Sequence, residues 1–322
     1  MPSKLLIAAA EAAHAIDVAP GFGVHVDGSK RVDGREVMDR VRRERDRFVG
    51  FVLEGVERIP ANDRVVGKTR FVDRNTLDVE GHTRIAARAI VIATGSRPAV
   101  PAMLQGAGDR LVVNDDVFSW DTLPRSVAVF GPGVIGLELG QSLDRLGVRV
   151  VVLGRGGRVG PLTDPVVREA AIRAISSELY LDPDAHVARV TRITEGVEVE
   201  YTRLDGTVRV ESFDYVLAAT GRRPNVDGLG LESLGLELDA AGNVVLGNRN
   251  GTRYASYGSV DARLSYEWTL PRGTLTVHGE VTNALDRRNP CCTDIEYAVV
   301  DGTPTLEREL RHWLPLVPSV GV

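Results

Sequence analysis

The fold is decided by residues 126–153, whose sequence is SVAVFGPGVIGLELGQSLDRLGVRVVVL. The apolar run at residues 127–130 is followed by three glycines in the spacing Gly-x-Gly-x-x-Gly, at residues 131–136. A segment of helical periodicity comes next, and a second apolar run covers residues 148–153. This order predicts a buried strand, a glycine turn, a helix and a second buried strand, which together form a parallel βαβ unit.

The glycine spacing, placed between a buried strand and a helix, predicts a dinucleotide phosphate site. Gly131 allows the tight turn, Gly133 lets backbone N–H groups approach a pyrophosphate, and Gly136 lets the helix pack closely on the strand. A glycine-rich turn without a ligand is the alternative interpretation. The candidate binding residues are those of the whole loop, Gly131, Pro132, Gly133, Val134, Ile135 and Gly136.

The end of the second strand bears on which dinucleotide is bound. A site for NAD(H) carries Asp or Glu there, which accepts a hydrogen bond from the ribose 2′-OH. This chain has Gly154 followed by Arg155, with Arg158 nearby. Arginine without a carboxylate suits a 2′-phosphate, so NADP(H) is favoured over NAD(H). The alternative is that both arginines are solvated loop charges.

Periodicity elsewhere predicts mixed helix and sheet up to about residue 245. The predicted helices cover residues 3–16, with Ser3 as the cap, and residues 33–59 and 164–179. The predicted strands cover residues 65–72, 76–80, 83–86, 89–93, 187–193, 197–201, 208–213 and 214–218. Near residue 246 the pattern changes to long alternating strands, such as residues 259–269 and 273–283, with a helix only at residues 307–313.

Four motifs in residues 1–245 together resemble the flavin-dependent pyridine nucleotide-disulfide oxidoreductases, the family of dihydrolipoamide dehydrogenase, glutathione reductase and mercuric reductase. The motifs are MPSK at residues 1–4, IATGSRP at residues 92–98, the glycine loop with Glu138, and ATGRRPN at residues 219–225. The resemblance implies an α/β, Rossmann-like FAD/NAD(P)-binding fold of three layers. It divides the chain into a partial FAD-binding domain (1–120), an NAD(P)-binding domain (121–240) and a β-strand tail (241–322).

The resemblance also implies roles for residues outside the glycine loop. Lys4 and Glu138 are expected to form a buried charge pair near the flavin ring and the nicotinamide, as the catalytic residues of hydride transfer. The Thr-Gly elements of the two domains are expected to bind cofactor, which adds Thr94, Gly95, Thr220, Gly221 and Arg222 to the candidate residues. The implied cofactors are FAD and either NADP(H) or NAD(H).

The sequence departs from the family's pattern in several places. It begins at the methionine that follows the family's redox cysteines, and its only cysteines are the adjacent Cys291 and Cys292. The first strand-loop-helix and the later Gly-Asp segment, which hold the FAD phosphates in the family, are missing from it, as is the interface domain. We therefore expect no disulfide chemistry and only half of an FAD site, unless the natural start lies upstream of Met1.

The tail resembles a different family, the last strands of TonB-dependent outer-membrane receptors. The matching segments are GTRYASY at residues 251–257, VDARLS at residues 260–265, VTNALDRRNP at residues 281–290 and LPLVPSVGV at residues 314–322. An open sheet of a few strands is not viable in lipid, so this tail is not expected to span a membrane. The two resemblances suggest a fusion of two gene fragments.

Composition excludes several classes of protein. A net charge of −5 and a pI of about 5.8 argue against a nucleic-acid binder, which needs a basic surface. The cysteine pair lacks zinc-ligand spacing, so no metal is predicted. No run of about 20 uninterrupted apolar residues is present, and the signal-like start is broken by Glu11. We therefore expect a cytoplasmic protein without a helical membrane span.

Three functions are consistent with these patterns. The first is an oxidoreductase of the flavin and nicotinamide class, similar to dihydrolipoyl dehydrogenase but lacking the redox cysteines. The second is a non-catalytic remnant that binds NADP(H). The third is a fragment of an outer-membrane transport receptor, defined by the tail. The exposed sheet edges of a halved flavin domain also predict association, including a homo-oligomer.

Overall fold

The computed structural model describes residues 2–236, 258–271, 273–300, 303–312 and 315–321. The chain divides into two compact units, Met1–Val245 and Leu246–Val322. The predicted further division of the first unit at residue 120 stays a prediction. Met1, the receptor-like segment 251–257, Trp313, Leu314 and Val322 lie outside the described residues.

The first unit is a mixed α/β structure. Its helices are α1 (Pro2–Val18), α2 (Gly34–Glu57), α3 (Asn114–Val117), α4 (Val134–Arg145) and α5 (Pro165–Ser176). Its strands are β1 (Thr69–Asp73), β2 (Thr76–Val79), β3 (Thr83–Ala86), β4 (Ser96–Pro98), β5 (Leu111–Val113), β6 (Ser126–Phe130), β7 (Arg149–Leu153), β8 (Tyr180–Asp182), β9 (His186–Ile193), β10 (Gly196–Thr202), β11 (Val208–Phe213), β12 (Tyr215–Ala218) and β13 (Arg222–Pro224). Turns of 3₁₀ helix cover Ala19–Phe22, Ala61–Asp63, Ala102–Arg110 and Leu231–Leu234.

A five-stranded parallel sheet in the order β5-β12-β6-β7-β8 forms the centre of this unit. The chain runs from β6 outward through β7 to β8, and then returns to place β12 on the other side of β6. Strand order therefore reverses between β6 and β12. In open parallel sheets such a reversal opens a crevice at the carboxyl ends of the two strands, where ligands bind.

Each central strand divides its apolar side chains between two cores. On β6, Val127 and Val129 face a core formed with α1, α2 and α4, whereas Ala128 and Phe130 face a core formed with β9, β10 and β11. β7 divides its residues in the same alternating way. Because side chains alternate across a strand, a run without polar residues is buried on both faces. The result is three layers, helices, parallel sheet and antiparallel sheet, which confirms the predicted fold class.

Local signals set the ends of two helices. The Asp33 carboxylate accepts hydrogen bonds from the N–H groups of Arg35 and Glu36 and so caps α2. Asp164 caps α5 in the same way, with proline at its first position. The predicted cap of α1 was wrong, because α1 begins at Pro2 and Ser3 lies inside its first turn.

The predicted strand at residues 89–93 is not formed. No strand among the described residues pairs with this segment, and Val91 is 88% exposed. An all-apolar strand is stable only when neighbouring strands satisfy its backbone and layers cover both faces. Neither condition is met within the part of the first unit that the structure describes.

The expectation that the chain has no helical membrane span is not confirmed. The helical segment Pro2–Phe22 is long and apolar enough to cross a membrane, by length and composition alone. Core helices meet the same criteria. Of this segment, Leu6, Ala10 and Ala13 are buried in the core shared with α4, whereas Ile16, Val18 and Phe22 are exposed.

The second unit is antiparallel. Its strands are β14 (Ala262–Leu270), β15 (Gly273–Thr282), β16 (Pro290–Val300), β17 (Thr303–His312) and β18 (Val317–Gly321). They form a sheet in the order β14-β15-β18 and a separate β16-β17 hairpin. The predicted helix at residues 307–313 was wrong, because those of its residues that the structure describes belong to β17. Cross-strand pairing with β16 outweighs their local helix preference.

One face of β14 is apolar and uncovered. Leu264, Tyr266, Trp268 and Leu270 alternate with polar residues and are 81%, 62%, 46% and 51% exposed. The turn after β15 is held differently, by polar groups: Asn283 is buried and its N–H donates to Asp261 Oδ1 at 2.8 Å. Backbone pairing and amide hydrogen bonds thus order the described part of this unit.

In the first unit, Arg145 joins three segments of the helical layer. Arg145, in the last turn of α4, donates from Nη1 to Glu11 of α1 at 2.7 Å and from Nε to Glu178 at 2.9 Å. A further bond, from Nη2 to Glu178 at 3.1 Å, makes the second contact bidentate. The hydrogen bonds from Arg145 lower the pKa of Glu178. These charged hydrogen bonds stabilise the helical layer at neutral pH.

We expect Arg145→Met to reduce the free energy of unfolding at pH 7 by about 2 kcal/mol, because the partly buried Glu178 carboxylate loses its partner. A carboxyl whose pKa is lowered by folding stabilises the protein above its unfolded pKa, and that contribution is lost as the pH falls through the folded value. The difference from wild type should therefore shrink in acid.

Urea unfolding at neutral and acid pH measures this effect. Arg173→Met is the control, because Arg173 pairs with Glu169 at 3.0 Å on an exposed helix face and should matter little. A deficit that stays constant from neutral to acid pH would contradict the assignment to Glu178.

Candidate dinucleotide site

A cavity of about 770 Å³ lies at the carboxyl ends of the parallel strands, at the reversal of strand order. Residues at and just after the ends of β6, β7, β8 and β12 line four sides of this cavity. Residues at the start of the 3₁₀ segment that follows β4 line a fifth side. The lining residues are Pro101, Met103, Leu104, Phe130, Gly131, Pro132, Gly133, Leu153, Gly154, Arg155, Arg158, Gly160, Asp184, Ala185, His186, Val187, Ala219, Thr220 and Gly221.

The glycine loop is folded back against the segment that follows β12. Gly131 has φ +106°, and its N–H donates to the Leu153 carbonyl at 2.8 Å. A Cβ on Gly131 would lie 2.4 Å from the Ala219 carbonyl oxygen, and one on Gly136 would lie 1.9 Å from the Gly131 carbonyl oxygen. Both positions therefore require glycine for the fold itself, before any ligand is considered.

Gly133 is different, because the fold leaves open space beside it. It has φ −75° and ψ 177°, which any residue adopts, and a Cβ added there would meet, among the described residues, nothing nearer than the Ala219 carbonyl oxygen at 4.0 Å. It caps α4 without a side-chain hydrogen bond, so the N–H groups of Val134 and Ile135 begin the helix without a capping partner. Free N–H groups and the helix dipole favour an anion at this point.

The two arginines line the same cavity as Gly133, the residue that caps α4. Gly154 is packed so closely that a Cβ would lie 2.5 Å from the Pro183 carbonyl oxygen. Arg155 and Arg158 follow it, both exposed, and within the described chain neither forms an ion pair or a hydrogen bond. Two unpaired guanidinium groups on a cavity wall can receive a phosphate without first breaking a protein contact.

Sequence reasoning missed part of the lining, chiefly Asp184 and His186 at the start of β9 and Met103 in the 3₁₀ segment. None of them belongs to a local motif. They reach the cavity because β8 is the outermost neighbour of β7 and because β9 leaves from its end. The signal that finds them is strand order, which follows from long-range pairing.

The Thr-Gly candidates separate into two groups. Thr220 and Gly221 line the cavity, and Thr220 Oγ1 donates to the Ala99 carbonyl at 2.5 Å. Arg222 is outside this lining: its Nε donates to Ser96 Oγ at 2.8 Å and its Nη2 to the Ser96 carbonyl at 2.5 Å. Arg222 therefore fastens β13 to β4, and its role as a cofactor ligand stays a prediction.

The Thr94-Gly95 element is held by Asn225 instead of lying at the cavity. Asn225 donates from Nδ2 to the Thr94 carbonyl and from its N–H to the Gly95 carbonyl, each at 3.0 Å. This contact brings the two family motifs, residues 92–98 and 219–225, together. It leaves Thr94 and Gly95 as untested candidates for flavin contact.

The expected buried pair of Lys4 and Glu138 is not present. Both residues are exposed, and no ion pair within 4.0 Å joins them in the described chain. Their helices do pack together, because α1 and α4 share a core. The two charges remain at the rim of that contact, where water solvates each of them better than a partner would.

Among the described residues, a nicotinamide dinucleotide has a candidate cradle, whereas for FAD only Thr94 and Gly95 stay predicted contacts. The dinucleotide fit rests on the open side of Gly133 and the two unpaired arginines. For FAD, the described residues offer an unpaired segment at 89–95 and an exposed Lys4, and no cradle is built from them. In the described chain, no group of three or more His, Cys, Asp or Glu side chains could hold a metal ion.

Comparison with known proteins identifies the family of this chain. Residues 1–254 match the family described as pyridine nucleotide-disulphide oxidoreductase. The chain is 30% identical over 262 residues to a dihydrolipoyl dehydrogenase of Cupriavidus necator, which covers 79% of this chain and 54% of that protein. It is 26% identical over 290 residues to a glutathione reductase of Nostoc sp., covering 89% of this chain and 59% of the relative.

Among solved structures, the chain resembles a Cu(II) complex of a mutant of RclA, an HOCl-induced flavoprotein disulfide reductase from Escherichia coli. The TM-score is 0.61 at 20% identity, with 76% of this chain and 52% of that chain covered. The chain spans about half the length of these relatives. It belongs to the pyridine nucleotide-disulphide oxidoreductase family, whose members are flavin-dependent enzymes that use FAD and NAD(P)H.

Proposed function

We propose that the cavity binds NADP(H) and that the chain is the nicotinamide-binding part of an oxidoreductase that moves hydride between NAD(P)H and flavin. The observation that carries the proposal is the pairing of an open Gly133 terminus with unpaired Arg155 and Arg158 in one cavity. Family membership supports the reaction class, since the matched relatives include dihydrolipoyl dehydrogenase and glutathione reductase.

In this proposal each wall of the cavity has a separate task. The N–H groups at the start of α4 bind the pyrophosphate, and the helix dipole stabilises its charge. Arg155 and Arg158 bind the 2′-phosphate, which distinguishes NADP(H) from NAD(H). The apolar residues Phe130, Leu153 and Val187 exclude water from the bases. The described residues position the nucleotide only; the site of the hydride acceptor is not built from them.

The second candidate is a non-catalytic module that binds NADP(H) without turnover. The exposed Lys4 and Glu138 and the unpaired segment at residues 89–95 favour it. The absence of a redox cysteine pair from the 322 residues is part of the same proposal, since Cys291 and Cys292 are adjacent on β16. A cytoplasmic location and a homo-oligomeric state remain predictions under both candidates.

A third proposal concerns the second unit, which we relate to the last strands of TonB-dependent receptors. Its support is that β14, β15 and β16 have 9, 10 and 11 residues, the length of strands that cross a bilayer, and that β14 has one apolar face. Flotation of the full chain with phospholipid vesicles tests it: a chain that stays with the soluble fraction does not use this unit as receptor strands do.

We expect Gly133→Ala to weaken NADPH binding by about tenfold or more, because the methyl group would stand between the α4 amides and the pyrophosphate. The melting temperature should stay close to that of wild type, since the space beside Gly133 is open. Gly136→Ala, by contrast, should destabilise the fold by roughly 3 kcal/mol because its Cβ would overlap the Gly131 carbonyl.

NADPH fluorescence titration and thermal unfolding of the three proteins separate these effects. Equal NADPH affinity in wild type and Gly133→Ala would show that the loop does not hold the pyrophosphate.

We expect Arg155→Glu to shift the preference from NADPH toward NADH by about tenfold or more, because the variant loses a phosphate partner and places a carboxylate near the ribose 2′-OH. Arg209→Glu is the matched control, since Arg209 is exposed on β11 and outside the cavity. The ratio of the two dissociation constants is the measurement. If both variants leave this ratio as in wild type, Arg155 does not read the 2′-phosphate.

An absorbance spectrum of the purified full chain, with and without added FAD, distinguishes the two main candidates. Flavin bands that NADPH bleaches support the oxidoreductase, provided that Gly133→Ala fails to bleach them under the same conditions. A colourless protein that binds NADPH and leaves added FAD oxidised supports the non-catalytic module. Failure to bind NADPH at all would remove both.

A further inference from the structure

The turn that carries the two cavity arginines is short and glycine-rich. Its sequence is Arg155-Gly156-Gly157-Arg158, and the two central glycines have φ +76° and +67°. Two consecutive glycines give the turn little conformational preference of its own. Contacts from other segments must therefore fix the positions of the two guanidinium groups.

Two hydrogen bonds from the β8–β9 connection hold this turn. Gly156 N–H donates to Asp184 Oδ1 at 2.6 Å, and Gly157 N–H donates to the Pro183 carbonyl at 3.1 Å. The first is made by a side chain and can be removed by substitution, whereas the second is a backbone contact. Asp184 is thus the one side chain among the described residues that bonds to the centre of the turn.

Asp184 is itself held in place by the end of β8. Its N–H donates to Oδ1 of Asp182 at 3.0 Å, and Asp182 is 5% exposed. Gly154, just before the turn, joins the same assembly, because its N–H donates to the Asp182 carbonyl at 2.7 Å and its carbonyl accepts from Ala185 N–H at 3.1 Å. Hydrogen bonds from the end of β8 therefore fix the backbone of the arginine turn.

We infer that Asp184 is a positioning residue for cofactor selectivity, an inference that rests on the proposed NADP(H) site. By accepting from Gly156 N–H it fixes the turn whose two flanking arginines, Arg155 and Arg158, line the cavity. Asp184 acts through the arginines and not by contact with the reacting atoms.

A competing role is that the Asp184 carboxylate itself accepts from a ribose 2′-OH, as a carboxylate does in NAD sites. The two roles depend on different properties of the side chain. Positioning needs an acceptor oxygen for Gly156 N–H, which asparagine also has. Ribose recognition in that manner needs the carboxylate, which both asparagine and alanine lack. Asp184→Asn and Asp184→Ala therefore distinguish them.

The first measurement needs no nucleotide. Trypsin cleaves after arginine, and a loosened turn is cut faster than a fixed one. We expect Asp184→Ala in the full chain to raise the rate of cleavage after Arg155 and Arg158 by about fivefold or more, followed by mass spectrometry of the fragments. Asp184→Asn should stay near wild type. Asp205→Ala is the matched control, because Asp205 holds the Thr207 turn by the same kind of bond, at 2.9 Å, outside the cavity.

The second measurement is the ratio of NADPH to NADH dissociation constants. Asp184→Ala should reduce the preference for NADPH by about tenfold, the loss expected for one displaced charge-assisted contact. Asp184→Asn should keep the preference or increase it, because it removes a negative charge near the 2′-phosphate.

Unchanged cleavage after Arg155 and Arg158 in Asp184→Ala overturns the inference, whether or not nucleotide binds. So does an equal loss of selectivity in the Asn and Ala variants. If wild type binds neither nucleotide while Asp184→Ala is cleaved faster, the proposed function fails but the structural role of Asp184 stands.

Discussion

The first unit depends on backbone packing directly against backbone at the ends of four parallel strands. A side chain at Gly131, Gly136 or Gly154 would lie within 2.5 Å of a carbonyl oxygen. These contacts bring the end of β6 against the end of β12 and the end of β7 against the end of β8, closer than a residue with a side chain allows, and α4 starts at the edge where these strand ends meet. The cavity is the volume left over once these approaches are made.

The central sheet holds these close backbone contacts in place because packed side chains cover both of its faces. Strands β6 and β7 supply alternate side chains to a helical core and to a core under the antiparallel sheet. The loops at their carboxyl ends are then fixed at both ends by rigid elements, so a site formed from loops gains the precision of a site formed from strands.

How much of this was predictable depends on the range of the interactions. The βαβ unit, the helices at residues 34–57 and 165–176, and the antiparallel strands follow from periodicity and capping, which are local. The short strands β5 and β8 were not foreseen, since three residues carry no pattern and only pairing with β12 and β7 defines them. Asp184 and His186 enter the cavity for the same reason. For residues 89–93 the prediction failed for the opposite reason. The local pattern favours a strand, but no described strand pairs with this segment.

The turn between Arg155 and Arg158 touches the rest of the fold only through backbone atoms and one carboxylate. Its two arginine side chains are exposed and form no hydrogen bond or ion pair with the described residues. Substitutions at Arg155 and Arg158 can therefore change the charge of this cavity wall without disturbing the glycine loop, whereas the positive φ of Gly156 and Gly157 restricts the two positions between them. If this wall reads the coenzyme as proposed, its charge can change by single substitutions at two exposed side chains, with no accompanying change in the core of the unit.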